Sequence, residues 1–331
     1  MRSTETRSER VLVLRALGLG DLLTAVPALR AIRRGLPGHE LVLAAPAAFG
    51  DLLVGPGLAD RILPTAPLSP VRWSGTPPAV AVNLHGSGPE SHRLLLGVAP
   101  GRLVAYGCAA ARVSGPRWRP GEHEVRRWCR LTEAAGWAAD PDELSLSAPD
   151  VPSPSPGAVV VHPGAAHPSR RWPAERFAAV AAWARHRGRE VVVTGSDDEV
   201  ALARSVAGVA GLDHDAVLAG RTDLRTLSAL VADAALVICG DTGIAHLASA
   251  HRTPSVVLFG PVPPAEWGPP RDGPHTVIWH GVARHLQGGR GDAEGATVDE
   301  ALLATTVEEV VDAVRGRLDG DSARRPPVAA R

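Results

Sequence analysis

Short runs of apolar residues alternate along this chain with longer segments in which apolar residues recur every three or four positions. The short runs predict buried strands, and the longer segments predict helices that cover a sheet. Predicted strands occupy residues 11–14, 41–43, 61–63, 80–82, 159–161, 191–193, 236–239 and 256–259. Because strands and helices alternate, the pattern predicts an α/β protein with doubly wound parallel sheets.

A proline-rich segment interrupts this alternation. Residues 148–157 read A-P-D-V-P-S-P-S-P-G, which suits neither a strand nor a helix and predicts a spacer. A length of 331 residues also fits two domains. We therefore predict a first domain at 1–150, a second at 151–319 and a disordered tail at 320–331. Two Rossmann-like domains of this kind are expected to face a central cleft.

Composition excludes several classes of function. The 35 basic and 35 acidic residues balance, which gives no electrostatic case for binding nucleic acid. The three cysteines are far apart, so neither a disulfide framework nor a zinc site is expected. No apolar run approaches the ~20 residues of a transmembrane helix. A cytoplasmic location is therefore expected, and peripheral contact with a membrane stays open.

The turn after the strand at 236–239 is the strongest candidate for a ligand site. It reads G-D-T-G and precedes a helical segment. Asp241 or Thr242 can cap that helix, Gly243 allows close approach of a ligand to the backbone, and free N–H groups of the first turn attract anions or hydroxyls. An ordinary capped helix explains the same residues equally well.

A second loop carries the chemistry of a phosphate site. Residues 162–173 follow a strand and precede a helix, and they include Gly164, Ser169, Arg170 and Arg171. The arginine guanidinium binds two phosphate oxygens at once and stays charged, so such a loop suits a diphosphate without a metal ion. The alternative is a loop with solvated arginines. NAD is not expected, because Leu23 replaces the third glycine of a dinucleotide fingerprint.

Four motifs in order resemble the heptosyltransferase-type glycosyltransferases, family 9. They are V-L-R-x-L-G-L-G-D-L-L-T-A-V-P-A-L-R (13–30), H-P-G-A…R-R-W-P-A-E-R-F (162–177), T-G-S-x-x-E (194–199) and G-D-T-G-I-A-H-L-A-S-A…T-P-S-V-V-L-F-G-P (240–261). The resemblance spans residues 11–267. It implies the GT-B fold, a nucleotide-diphosphate sugar as donor, typically ADP-heptose, inversion at the anomeric carbon and no metal or other cofactor.

The resemblance also implies roles for individual residues. Asp21 matches the general base that removes the proton of the acceptor hydroxyl. Arg170 matches a basic position, usually lysine, that contacts the donor phosphates, and Asp241 matches the aspartate that holds the donor sugar. The other donor-side candidates are Gly164, Ser169, Glu199 at the ribose, Thr242, Gly243 and His246, which could equally pack its helix.

The acceptor side departs from the family. Residues 83–87 read N-L-H-G-S where many relatives have an Asp-containing strand end and a Gln-Gly pair, so a different acceptor is expected. The acceptor-side candidates are Arg15, Gly20 and His85. A structural hydrogen bond or ion pair is the strong alternative for Arg15 and His85. Ala165 and Ala166 also stand where relatives often carry hydroxyl residues that contact phosphate.

These observations predict a metal-independent inverting glycosyltransferase. It would move a sugar to a hydroxyl of a glycan, glycolipid or small molecule, and the resemblance implies heptose from ADP-heptose, as in lipopolysaccharide synthesis. One alternative is an epimerase-like GT-B enzyme that acts on a sugar nucleotide. The other is a protein that binds a sugar nucleotide without catalysis.

Overall fold

The computed structural model describes residues 9–55, 57–286, 289 and 291–322. Its chain divides into two compact units, Met1–Leu144 and Ser145–Arg331. The predicted boundary after residue 150 stays a prediction. The predicted tail lies outside the described residues from 323 onward, and residues 320–322 end the last helix.

The first unit is built on a five-stranded parallel sheet. Strand β1 pairs with β2 on one side and with β4 on the other, which gives the order β3-β2-β1-β4-β5. The strands are β1 Arg10–Leu14, β2 Glu40–Ala45, β3 Arg61–Pro64, β4 Val80–Asn83 and β5 Arg102–Val104. The helices are α1 Leu19–Thr24, α2 Val26–Gly35, α3 Gly50–Leu53, α4 Glu90–Leu96 and α5 Glu124–Ala134.

The second unit repeats this architecture. Its parallel sheet has the order β10-β9-β8-β6-β7. The strands are β6 Val159–His162, β7 Val191–Val193, β8 Leu236–Gly240, β9 Ser255–Phe259 and β10 His275–Trp279. The helices are α6 Ala174–His186, α7 Val200–Val209, α8 Leu224–Ala232, α9 Gly243–His251, α10 Pro264–Trp267, α11 Val282–Leu286, α12 Glu300–Ala304 and α13 Val307–Ser322.

The prediction of two doubly wound parallel sheets is confirmed. Every predicted strand is present. Six of the eight lie inside a sheet, where strands buried on both faces read as continuous apolar runs, and the other two, β3 and β7, are edge strands. The remaining edge strands, β5 and β10, were not predicted: β5 (R-L-V) has only two apolar residues, and β10 begins with the polar His275 and Thr276.

Each sheet has one point at which the strand order reverses. In the first unit this switch point lies between β1 and β4, where Leu14 is in register with Asn83. In the second unit it lies between β6 and β8, where His162 is in register with Cys239. The loops that leave neighbouring strands in opposite directions open a crevice there, and ligands of open α/β sheets bind in it.

Candidate active site

Asp21 lies in the first turn of α1, just beyond the carboxyl end of β1. Gly18 precedes the helix in extended conformation, and a Cβ built on it would lie 3.4 Å from Asp21 Oδ2, so the glycine leaves the carboxylate accessible. The side chain of Asp21 is 31% exposed. Gly20, an acceptor-side candidate, lies in the same turn and is half-buried. The first switch point therefore presents one carboxylate to solvent.

The environment of Asp21 favours its protonated form. Burial raises the pKa of this carboxyl above its usual value, the Arg15 guanidinium acts against the rise, and the negative charge of Glu124 adds to it. The backbone N–H of Gly18 also stabilises the carboxylate. A raised pKa makes the ionised carboxylate a stronger proton acceptor, which is what a general base requires.

Arg15 is a buried cation that connects four elements around Asp21. Its side chain is 1% exposed. Its Nε donates to the backbone oxygen of Asp21 (2.9 Å), and its other nitrogens donate to the Leu84 carbonyl, to Thr24 Oγ1 (3.2 Å) and to Glu124 Oε1 (3.0 Å). The predicted contact of Arg15 with an acceptor stays a prediction. Its observed contacts are those of an ion pair that holds the turn.

Sequence analysis did not assign Glu124 to the site. It is 109 positions from Arg15, and no local motif marks it; its only signal is an acidic residue in the first turn of a helix. In the fold it is buried and pairs with both Arg15 and Arg127, and Trp128 Nε1 donates to its Oε1 (2.9 Å). A buried carboxylate with three donors is thus part of the surroundings of Asp21.

His85 lies beyond the end of β4, across the same switch point. Its backbone N–H donates to Asn83 Oδ1 (2.9 Å), and the Asn83 amide donates to Ser91 Oγ (2.9 Å) and His92 Nδ1 (3.1 Å). Burial and the nearby Arg15 cation lower the pKa of His85 to about 4, so its ring is neutral near pH 7. Its buried Nδ1 has no hydrogen-bond partner in the structure. The ring is therefore able to accept or donate one further hydrogen bond.

Ser169 and Arg170 lie in the loop after β6, at the second switch point. The loop is fixed by the Arg171 guanidinium, which donates twice to the Ala165 carbonyl (2.9 and 2.7 Å). Ser169 donates its backbone N–H to Gly295 O (3.1 Å) and accepts from Asp299 N (3.2 Å). Among the described residues its buried Oγ has no partner, although a buried hydroxyl normally has one.

Asp241 follows β8 and lies beside Arg170. Arg170 Nη1 and Asp241 Oδ2 are 3.7 Å apart, and the carboxylate is largely buried. A Cβ on Gly240 would lie 3.1 Å from the Arg170 carbonyl oxygen, so the glycine permits close approach of the two loops. Arg170, which the resemblance assigns to the donor phosphate, thus forms an ion pair with Asp241, which it assigns to the donor sugar.

The N-terminus of α9 also reaches this point. Thr242 is the N-cap residue, but its side chain makes no cap bond. The first N–H groups of a helix have no partner within it, so those that begin with Gly243 are suited to bind an anion or a hydroxyl. One turn further, the His246 ring packs edge-on against Trp267, with centroids 5.9 Å apart. This packing is the structural alternative for His246.

Glu199 lies against Gly164 at the ends of β6 and β7. Its Oε2 accepts from the backbone N–H of Ser196 (2.9 Å) and so caps the helix that follows. A Cβ built on Gly164 would lie 2.2 Å from Glu199 Oε1. The pKa of neighbouring His162 is lowered by burial, with Glu199 acting against the change. Glu199 has both a structural role and a place at the crevice.

Gly164→Ala is expected to force Glu199 out of this position. Because the Cβ would meet the far end of a flexible side chain, the main loss is the Glu199–Ser196 hydrogen bond, and the free energy of unfolding should fall by about 0.5–1.5 kcal/mol. Gly208→Ala is the matched control, because a Cβ there meets nothing within 4 Å and alanine favours a helix. Urea unfolding of both variants measures the difference. Equal stability of Gly164→Ala and the parent would contradict a displacement of Glu199 from Ser196.

Among the described residues, no group of three or more His, Cys, Asp or Glu side chains is arranged to hold a metal ion. Within the same part of the chain, no helix combines the length and apolar character needed to cross a membrane.

Two doubly wound units, each with candidate residues at its switch point, define a protein of the GT-B class. Residues 115–285 match the sequence model of glycosyltransferase family 9 (heptosyltransferase). The chain therefore belongs to that family, as its motifs predicted.

Relatives and solved structures agree with this assignment. The chain is 30% identical to lipooligosaccharide heptosyltransferase 2 of Haemophilus influenzae over 148 residues, 44% of this chain and 42% of that protein. It is 23% identical to lipopolysaccharide heptosyltransferase 1 of Salmonella typhimurium over 77% of this chain and 89% of that protein. The structure of Escherichia coli ADP-heptose lps heptosyltransferase II matches with a TM-score of 0.74 and 19% identity, over 95% of this chain and 99% of that one. This last likeness confirms the GT-B fold.

Proposed function

We propose that this protein is an inverting glycosyltransferase that uses ADP-heptose as donor and requires no metal ion. The observation that carries the proposal is the Arg170–Asp241 ion pair at the switch point of the second sheet, in a loop that also carries the Ser169 hydroxyl. A cation, a hydroxyl and helix N–H groups suit the diphosphate, and a carboxylate suits sugar hydroxyls. Heptose is proposed from the relatives, whose names contain heptosyltransferase.

Asp21 supplies the base in this proposal. As the acceptor oxygen attacks the anomeric carbon, the Asp21 carboxylate takes the hydroxyl proton. The bond from that carbon to the diphosphate oxygen breaks, and ADP leaves with the electron pair. Arg170 offsets the charge that grows on the departing phosphate. One displacement from the face opposite the diphosphate inverts the anomeric centre, and because the leaving group needs no proton, a second carboxylic acid is unnecessary.

For the acceptor, only the chemical class is proposed. Gly20 precedes Asp21 in the chain and His85 lies near Arg15, and these two residues are the proposed acceptor contacts, with a hydroxyl of a glycan, a glycolipid or a small molecule as the nucleophile. Lipopolysaccharide stands first among these, because the relatives' names contain it. A cytoplasmic location and peripheral contact with a membrane remain predictions.

A transfer assay tests the proposed reaction. The full chain is incubated with ADP-heptose and, in separate reactions, with lipopolysaccharide truncated before its heptoses, a free glycan and a small sugar alcohol. ADP release reports turnover, and NMR of the product reports the configuration of the new linkage. We expect ADP release with at least one acceptor and an inverted anomeric centre. Retained configuration would contradict the single displacement, and the absence of turnover with all acceptors would contradict the proposed function.

Ser169→Ala separates binding from folding at the donor site. Since Ser169 Oγ has no protein partner, its removal should leave the unfolding temperature unchanged or slightly higher. If the hydroxyl donates to a charged donor phosphate, its loss should weaken ADP-sugar binding about 10-fold. Calorimetric titration and thermal unfolding measure the two effects. Unchanged affinity for the ADP-sugar would exclude the Ser169 hydroxyl from the donor site.

A further inference from the structure

Glu124 is a buried carboxylate to which the proposed mechanism assigns no part. It lies at the start of α5 and contacts the same Arg15 nitrogen that faces Asp21. Arg15 Nη2 is 3.0 Å from Glu124 Oε1 and 3.5 Å from Asp21 Oδ1. The two carboxylates thus compete for one cation, and the shorter contact belongs to Glu124.

The charges in this cluster sum to zero. Asp21 and Glu124 are acidic, and Arg15 and Arg127 are basic, with Arg127 Nη1 bonded to Glu124 Oε2. A buried cation close to a carboxylate lowers its proton affinity strongly, because little water screens the pair. Without Glu124, Arg15 would pair with Asp21 alone. Asp21 would then be a weaker proton acceptor.

We propose that Glu124 is a positioning residue for Asp21, holding the Arg15 guanidinium so that it orients the helix turn of Asp21 without neutralising its carboxylate. This inference rests on the proposed role of Asp21 as base. Arg15 Nε supports the turn by donating to the Asp21 carbonyl, and Thr24 Oγ1 donates to the same oxygen (2.7 Å). Arg15 therefore stabilises the turn that carries Asp21, and its pairing with Glu124 leaves the Asp21 carboxylate able to accept a proton.

The charged and titratable groups around Asp21 come from three elements. Arg15 follows β1, His85 follows β4 and is neutral near pH 7, and Glu124 with Arg127 belongs to α5. Arg127 opposes Glu124, so the two α5 residues should affect Asp21 with opposite sign. This opposition distinguishes electrostatic control from a merely structural role.

The experiment compares Glu124→Gln and Arg127→Gln with the parent. Activity that depends on ionised Asp21 rises with pH through the pKa of its carboxyl, which forms the acidic limb of the kcat/KM profile. Glu124→Gln removes the competing charge and should move that limb to lower pH by about one unit. Arg127→Gln removes the positive charge that offsets Glu124 and should move the limb to higher pH. Glu122→Gln is the control, since Glu122 pairs with Arg130 instead, and no movement is expected.

A second readout is independent of turnover. The Asp21 carboxyl carbon is followed by NMR as a function of pH in the full chain with 13C-labelled aspartate, and Asp21→Asn identifies its signal. The same opposite movements are expected. If the parent transfers no sugar yet the carboxyl titration moves as described, the proposed function fails and the electrostatic role of Glu124 stands.

Opposite movements of the two variants support the proposal. The proposal would be overturned in favour of a structural role if both variants kept the parent's acidic limb and carboxyl titration and lost activity equally at every pH. Removal of one member of a buried ion pair destabilises a fold strongly, so thermal unfolding is measured for each variant. If Glu124→Gln does not fold, Arg127→Gln alone decides by the direction of its movement.

Discussion

Replacement of Asp21 by asparagine is expected to reduce kcat for sugar transfer by about 10²–10⁴-fold, the usual contribution of a general base. Asparagine has nearly the same shape but cannot accept the acceptor proton at neutral pH. Affinity for the ADP-sugar should be unchanged, because the donor residues belong to the second unit. Steady-state kinetics and calorimetric titration measure the two quantities.

The control is Asp51→Asn, an exposed aspartate of α3 in the same unit, which should leave both quantities unchanged. If Asp21→Asn transferred sugar at the parent rate, the base would lie elsewhere. If the parent bound an ADP-sugar and neither protein transferred it to any acceptor, the chain would be a sugar-nucleotide-binding protein.

Arg170→Gln is expected to impair both donor binding and the chemical step. Loss of one charged contact to a phosphate costs about 1.5–3 kcal/mol, so the Kd for the ADP-sugar should rise about 10- to 100-fold. Because the charge on the leaving phosphate grows in the transition state, kcat should fall further, by about 10²-fold. Titration calorimetry gives the first value and single-turnover kinetics the second.

Two controls separate this effect from a loss of stability. Arg170→Gln leaves the largely buried Asp241 without this cation, so some destabilisation is expected, and thermal unfolding is measured in parallel. Arg170→Lys keeps the positive charge, and it should retain most activity. Arg204→Gln changes an exposed arginine of α7 and should have no effect. Equal donor affinity in Arg170→Gln and the parent would contradict the proposed phosphate contact.

The candidate site residues that were easiest to locate from the sequence are those that follow a central strand of a sheet. Asp21 and Asp241 each follow a buried apolar strand, and both strands border a switch point. Strands that lie at the centre of a sheet have the strongest apolar runs, so the loops beyond them can be located from the sequence. The turns that carry Asp21 and Asp241 could be located for this reason, whereas the roles of Asp21, Arg170 and Asp241 came from the family resemblance and stay predictions. The Arg170–Asp241 ion pair was not predicted.

Contacts between residues distant in sequence could not be predicted in the same way. Glu124 reaches Arg15 across 109 positions, and Ser169 is held by Gly295 and Asp299, which belong to a segment without an apolar pattern. Such contacts depend on how helices and loops pack on the sheet. A break between α1 and α2 lies at Ala25, close to Pro27, and a proline is compatible with the first turn of a helix.

The most direct test of the account is a thermal-unfolding titration of the full chain against ADP-, UDP-, GDP- and dTDP-sugars, with and without EDTA. A ligand that binds only the native state raises its unfolding temperature. We expect selective stabilisation by the ADP-sugar, unchanged by EDTA and weakened in Arg170→Gln. Absence of stabilisation by every nucleotide sugar would contradict the donor site, and stabilisation that EDTA removes would contradict the metal-free role of Arg170.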